Sequence, residues 1–269
     1  MTYFGFLLRF IVIPLVVFLI IALIDEKRGK TVSGFRNGRA VWLSIGLHVI
    51  IAVLYTTPWD NYLVATGVWY YNPELITGIL LGWVPIEEYT FFIVETIFVG
   101  LWWWFLARRI TPPDKFSPSK NIRIISTAIL GVVWLASIIM LASGWRPGVY
   151  LSLILGWALP PIMLQMAYGA DILWHHRKLV AGTILPAFLY LSATDSIALT
   201  AGTWTIDPAQ STGILIGSLP VEEGVFFLVT VVLISFGVTL SLALVSQTRL
   251  LRIKELVGQS NKLSGRANG

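Results

Sequence analysis

Cysteine is absent from all 269 residues, which excludes disulfides, thiolate metal ligands and a cysteine nucleophile but leaves the compartment open. Charge is scarce too, at 12% Asp, Glu, Lys and Arg against 56% hydrophobic residues. No Gly-x-Gly-x-x-Gly follows a strand pattern and no Gly-Lys-Ser/Thr phosphate loop occurs, so nothing points to a flavin, nicotinamide or nucleotide fold and no cofactor is assigned. The three histidines, His48, His175 and His176, form no helix-spaced ligand set, so no metal is assigned. The last apolar run holds no lysine for a retinal Schiff base, and the aspartate-rich diphosphate motifs of a prenyltransferase are missing. Basic residues lie scattered through separated loops, without the concentrated patch a nucleic-acid partner needs.

What is present is apolar length. Mean hydropathy is +0.78, far outside the soluble globular range. Runs near 3–24, 40–58, 76–106, 122–142, 149–169, 179–201 and 213–246 predict an all-α polytopic membrane protein of seven transmembrane helices. The first run is too long and lacks the cleavage site of a secretory signal, so it reads as a retained helix. The third and seventh exceed a span, so each tilts, kinks at Pro85 or Pro220, or begins as an interfacial segment.

Lysine and arginine orient the bundle. The loops after the first, third and fifth runs and the C-terminal tail carry nearly all of them, and the alternate loops hold only Arg146. The positive-inside rule then places the N-terminus outside, the C-terminus in the cytoplasm and the chain in the cell membrane as a multi-pass protein, in contact with the lipid bilayer.

The chain also repeats. Asp60–Val94 aligns without a gap on Asp195–Val229, with 15 of 35 positions identical. Pro85-Ile86-Glu87-Glu88 returns 135 positions later as Pro220-Val221-Glu222-Glu223, and Asp60, Trp69 and Phe91 return as Asp195, Trp204 and Phe226. Duplication predicts a parallel 3+1+3 arrangement about an axis along the membrane normal. Its units are a first repeat over 1–106, a linker with the fourth helix over 107–148, a second repeat over 149–246 and a basic cytoplasmic tail over 247–269, polar and disorder-like beyond Val257.

A charged residue at the centre of a membrane helix costs roughly 2.5–3.5 kcal/mol, so two matched glutamate pairs need a reason. One alternative is that Glu87, Glu88, Glu222 and Glu223 only hold helices together, but the spans offer few cations to pair with. The chemical reading is that burial and like charge both oppose a second negative charge, so each pair can hold one protonated and one ionised group. Adjacent helical residues point about 100° apart, so one member contacts a ligand while the other sets its proton affinity. Glu95, matched by Thr230, is a weaker candidate for a proton path. Phe91 and Phe226 follow Glu87 and Glu222 by four residues, on the same face, where a ring stabilises a cation. Asp60 and Asp195, with Trp69 and Trp204, are either interfacial caps or members of the cavity. Asn72 and Asp207 read as loop formers before proline, and Trp102–Trp104 as an interfacial belt.

Trp59-Asp60-Asn61-Tyr62, Gly67-Val68-Trp69 and Pro85-Ile86-Glu87-Glu88, with Asp195, Gly202-Thr203-Trp204 and Pro220-Val221-Glu222-Glu223, resemble the membrane-embedded lycopene cyclases, of the heterodimeric bacterial and fused archaeal and fungal type. The resemblance covers essentially the whole chain. It implies a flavin-free, redox-neutral isomerase that cyclises the linear ends of lycopene or a related linear carotenoid to β-rings, giving β-carotene via γ-carotene. It also implies that the four glutamates are the acid sites, and it leaves room for association with other carotenoid-pathway enzymes. Two departures, Tyr89 against Gly224 and Trp83 against Ser218, predict that the halves differ. A carotenoid 1,2-hydratase, which protonates the same double bond and admits water, and a proton-coupled transporter are the competing readings.

Overall fold

The computed structural model describes residues 1–252, 254 and 255. Among them are seven helices long and apolar enough to cross a membrane: α1 Tyr3–Lys27, α2 Arg39–Ala65, α3 Ile86–Ala107, α4 Lys120–Ala142, α5 Val149–His175, α6 Arg177–Thr200 and α7 Val221–Leu242. A short π-helical turn, Leu8–Val12, interrupts α1, and α5 kinks at Gly169, past Pro160 and Pro161. The expected tail begins within the described residues, helical over 244–252, whereas the disorder-like end beyond Val257, with Lys262 and Arg266, lies outside them.

α3 and α7 form the buried centre. α3 packs on α1 and α2, and α7 on α5 and α6; the two groups meet where α2 touches α7, α6 touches α3, and α3 touches α7. α4 packs against α5 at the edge, with Ser137 its one buried residue. An exposed apolar sheath of this kind fits a hydrocarbon solvent rather than water.

The fold is not purely α-helical. Among the described residues six short strands cap one end: β1 Trp69–Tyr71, β2 Leu80–Leu81, β3 Val84–Pro85, β4 Trp204–Ile206, β5 Leu215–Ile216 and β6 Leu219–Pro220. β2–β3 and β5–β6 are two-residue hairpins, and Gly82 (φ 71°) and Gly217 (φ 66°) supply the positive φ that the first central position of each turn requires. Pro85 and Pro220 therefore do not kink α3 and α7. Each stands in extended backbone just before its helix, where a missing N–H costs nothing. The following amides close the hairpins, Ile86 N–H to Ile79 O and Val221 N–H to Ile214 O, both at 2.9 Å. Of the alternatives for the long third and seventh runs, the kink is excluded, and each run begins outside its helix.

β1 and β4 pair antiparallel across the two groups, with Trp69 opposite Ile206, Tyr70 opposite Thr205 and Tyr71 opposite Trp204. Exchanging matched residues maps this register onto itself. At the other end, the loop after α1 pairs with the end of α7, Arg36 N–H donating to Leu242 O at 2.8 Å. Trp102–Trp104 do not form a belt: Trp103 and Trp104 are fully buried, Trp103 donating its indole N–H to Thr239 at 2.9 Å. Their ring area is spent on helix packing.

Candidate active site

The hairpins bring Glu87 and Glu88, and likewise Glu222 and Glu223, into the first turn of α3 and α7. There the free amides and the helix dipole favour acidic side chains. Within each pair the two carboxyls part. Glu87 Oε1 turns back to accept the Thr77 amide at 2.6 Å, and Glu222 Oε1 accepts the Thr212 amide at 2.6 Å and its hydroxyl at 2.7 Å. These first glutamates clamp the hairpin to the helix.

The second glutamates point inward. Glu88 and Glu223 line one cavity of about 30 Å³ with Phe91, Phe226, Trp69 and Trp204, space for a water or two. Phe91 and Phe226 thus share the cavity with the second glutamates, at i, i+3, rather than with Glu87 and Glu222 as the i, i+4 spacing suggested.

Tyrosines hold the inward carboxyls. Glu88 Oε2 accepts hydroxyls from Tyr3 and from Tyr71, the latter at 3.0 Å; Glu223 Oε1 accepts that of Tyr150 at 2.5 Å. Burial and the neighbouring carboxyls of Asp60 and Glu88 push the Tyr71 hydroxyl well above its ordinary value, so it remains a donor. Tyr3 and Tyr150 occupy equivalent places, their amides donating to Leu75 O (2.8 Å) and Gln210 O (3.0 Å), themselves matched residues. Sequence reasoning missed this pair because the offset between them is 147 rather than 135, outside the ungapped repeat. The signal available was a polar hydroxyl at the start of an apolar run in each half.

Asp60 and Asp195 are not interfacial caps. Both are buried, at 0% and 1% exposure, inside α2 and α6, whose ends lie several residues further on. Asp195 Oδ1 accepts the Trp204 indole N–H at 3.1 Å, whereas both Asp60 oxygens and the Trp69 indole nitrogen lie buried without a partner. Asn72 and Asp207 cap their turns as expected, accepting the amides of Glu74 and Ala209 at 3.0 Å.

Glu95 is buried deeper in α3 and accepts the hydroxyl of its matched residue Thr230 at 3.0 Å. Among the described residues no three His, Cys, Asp or Glu side chains converge as a cation would require.

Helices long and apolar enough to cross a membrane thus surround inward carboxyls, tyrosine donors and aromatic walls. The family model described as lycopene cyclase matches residues 31–106 and 147–242. The chain is 38% identical over 202 residues to the lycopene beta-cyclase of Halobacterium salinarum, covering 75% of this chain and 83% of that protein. It is 33% identical over 210 residues to the bifunctional lycopene cyclase/phytoene synthase of Podospora anserina, covering 74% of this chain and 35% of that one. With the equivalent protein of Pyrenophora tritici-repentis, identity is 36% over 208 residues, covering 72% and 35%. The match therefore spans about a third of these fungal proteins. No solved structure matches. This chain belongs to the lycopene cyclase family.

Proposed function

We propose that this chain converts the linear ends of lycopene to β-rings, giving β-carotene via γ-carotene, by proton transfer alone. The observation that carries the reading is the convergence of Glu88 and Glu223 on one cavity walled by Phe91, Phe226, Trp69 and Trp204.

The reaction is an isomerisation. A carboxylic acid delivers a proton to C2 of the terminal double bond, leaving a cation at C1. The C5=C6 double bond attacks C1, forming the C1–C6 bond and moving the cation to C5. Loss of the C6 proton to a carboxylate restores C5=C6 inside the ring, so one proton enters, one leaves and no electrons are exchanged. A carboxyl is a weak acid toward an alkene, so most of the rate must come from stabilising the cation. The fixed carboxylate charge and the aromatic faces supply that stabilisation. A tight aromatic wall, with an end group filling the space otherwise open to a water or two, keeps water from the cation, which separates cyclisation from hydration. In this scheme Glu88, with two donated hydroxyl bonds, is the proton acceptor, and Glu223, with one, is the donor. Glu87 and Glu222 position the helix starts, and Asp60 and Asp195 shape the charge beneath the carboxyls.

The same reading includes a parallel 3+1+3 duplication in the cell membrane, with the hairpin end outside and the basic end in the cytoplasm. The self-mapping register of β1 and β4 and the contact between matched residues Glu95 and Thr230 support the two-fold relation. Association with other carotenoid-pathway enzymes draws support from the fungal relatives, whose names join a cyclase and a phytoene synthase in one protein.

Expression in a lycopene-accumulating host tests the reading: pigment should shift from lycopene to β-carotene. Unchanged lycopene in cells whose membranes contain the protein would overturn it, and a hydroxylated end group would replace it with hydration.

A further inference from the structure

Two seams open on the outer side of the bundle, one between α2 and α5 and one between α1 and α6, and the hydrogen bonds that close them occupy matched positions. Tyr55 on α2 donates its hydroxyl to Trp157 O on α5 at 2.8 Å; Tyr190 on α6 donates to Phe10 O on α1, also at 2.8 Å. The tyrosines differ by 135 positions and their acceptors by 147, the two offsets already seen around the carboxyls.

Behind these bonds the seams differ. The α2–α5 seam holds a cavity of about 190 Å³ that reaches Glu95 and Phe226. Its mouth is exposed, Ile51 at 50% and Tyr55 at 41%, and its wall carries the rings of Tyr55, Phe92, Trp157 and Phe226 beside the polar His48, Gln165 and Glu95; behind the wall Trp59 stacks on Trp157 at 4.5 Å and lies parallel to Phe226 at 5.8 Å. Phe226 also lines the carboxylate cavity, so one ring separates the two spaces. The α1–α6 recess, about 360 Å³, is an open apolar groove whose floor is filled by Phe18, Phe98 and Trp102; it reaches no carboxylate.

We propose that the α2–α5 seam is the lateral entry and holding site for a linear polyene, and that the matching α1–α6 seam is not used. The occupant is an apolar, conjugated chain because the cavity has an exposed apolar mouth, carries four aromatic rings on its wall, and ends at the ring that borders the acid–base site. At 1.5 Å per residue Glu95 lies roughly 13 Å below the start of α3, so a chain entering near it rises along α3 and α7 toward Glu88 and Glu223. The acid–base space of about 30 Å³ is too small for an end group, so Phe226 must turn aside to admit one. Tyr55 and Trp157 gate the mouth, and Ala52, small and facing the cavity, sets the girth that passes. With one entry, a substrate with two linear ends has to present them in succession.

The inference rests on the cyclase reading, and the cysteine-free chain makes it testable apart from that reading. Ile51→Cys, at the used mouth, and Pro186→Cys, its counterpart in the unused recess, are each combined with Glu88→Gln so that substrate binds without turnover. The purified proteins are reacted with N-ethylmaleimide with and without lycopene. Lycopene should slow labelling at position 51 about tenfold, as a bound ligand buries most of its surface against its site, and leave position 186 unchanged. Equal protection at both positions, or at neither while the unsubstituted enzyme cyclises lycopene, would overturn the single entry and spare the cyclase reading. No protection and no cyclisation would overturn both. Ala52→Phe provides a second readout: kcat/KM should fall about tenfold through KM with the thermal transition kept, in the range set by overfilling a packed site. An unchanged KM contradicts the cavity's role.

Discussion

In the first half of the bundle Glu88 accepts hydroxyls from Tyr3 and Tyr71, while in the second Glu223 accepts one, from Tyr150, because the residue matched to Tyr71 is Ile206. The same side of the comparison recurs nearby. Asp195 holds the Trp204 indole, but Asp60 and Trp69 lie buried without partners, and Glu95 faces a threonine rather than a second glutamate. What the halves share is scaffold: hairpin, proline before the helix, first glutamate on a backbone amide, tyrosine at the start of the outer helix. What they do not share is the polar surrounding of the inward carboxyl. Two carboxyls in one cavity with unequal donors are suited to the unequal proton roles of the proposed cyclisation.

The comparison can be broken at its centre. Glu88→Gln and Glu223→Gln should each lower turnover by about 100-fold or more, the size expected for a positioned general acid or base. Glu87→Gln and Glu222→Gln should instead lower the thermal transition, with activity following the folded fraction. Initial rates measured beside thermal melts decide between the two pairs, and equal losses at all four positions would erase the division of labour.

A smaller effect sharpens the difference between halves. Tyr71→Phe removes the donor that has no counterpart, and a hydrogen bond to a charged group is worth about 1.5–3 kcal/mol. Turnover should fall roughly tenfold or more, while Tyr71→Phe combined with Ile206→Tyr should recover part of the loss if unequal donors are what matters. Because the Tyr71 hydroxyl titrates well above its ordinary value, the alkaline limb of the pH profile should be unmoved by Tyr71→Phe.

The ends of the bundle away from the strands differ as well. His176, between α5 and α6, is buried against Phe35, whereas the loop over 28–38 in the first half contains no histidine. Burial lowers its pKa from 6.5 to about 4. A lowered folded-state value stabilises the protein above the ordinary pKa, and that stability is lost as pH falls toward the folded one. The thermal transition should decline between about pH 6.5 and pH 4, and His176→Gln should flatten the decline. The smallest expected effect separates the hairpin clamps: Asn61, bonded to the Trp83 amide and Tyr89, should cost more on replacement by Ala than Ser196, bonded to Ser218 alone.

Much of this frame was legible in the residues. Hydropathy marks seven spans because a bilayer demands long apolar runs, and the ungapped repeat marks Glu88 with Glu223, Asp60 with Asp195 and Phe91 with Phe226. The hairpins were not legible, since Ile76–Pro85 and Gly213–Pro220 are apolar enough to extend a helix by composition. The positive φ at Gly78, Gly82, Gly213 and Gly217 and the prolines stop them. The direction of each glutamate was hidden for the same reason: the partner of Glu87 is a backbone amide in that hairpin, and an amide carries no sequence signature. Tyr3 and Tyr150 were hidden by the change of offset between the outer and inner helices.

The central claim, cyclisation begun by an external proton at paired carboxyls, is tested most directly by turnover of lycopene by the purified protein in deuterated water. The account predicts β-carotene carrying one deuterium at C2 of each ring, formed at a rate lower by about 100-fold or more in Glu88→Gln and Glu223→Gln. β-carotene without deuterium at C2 would contradict it.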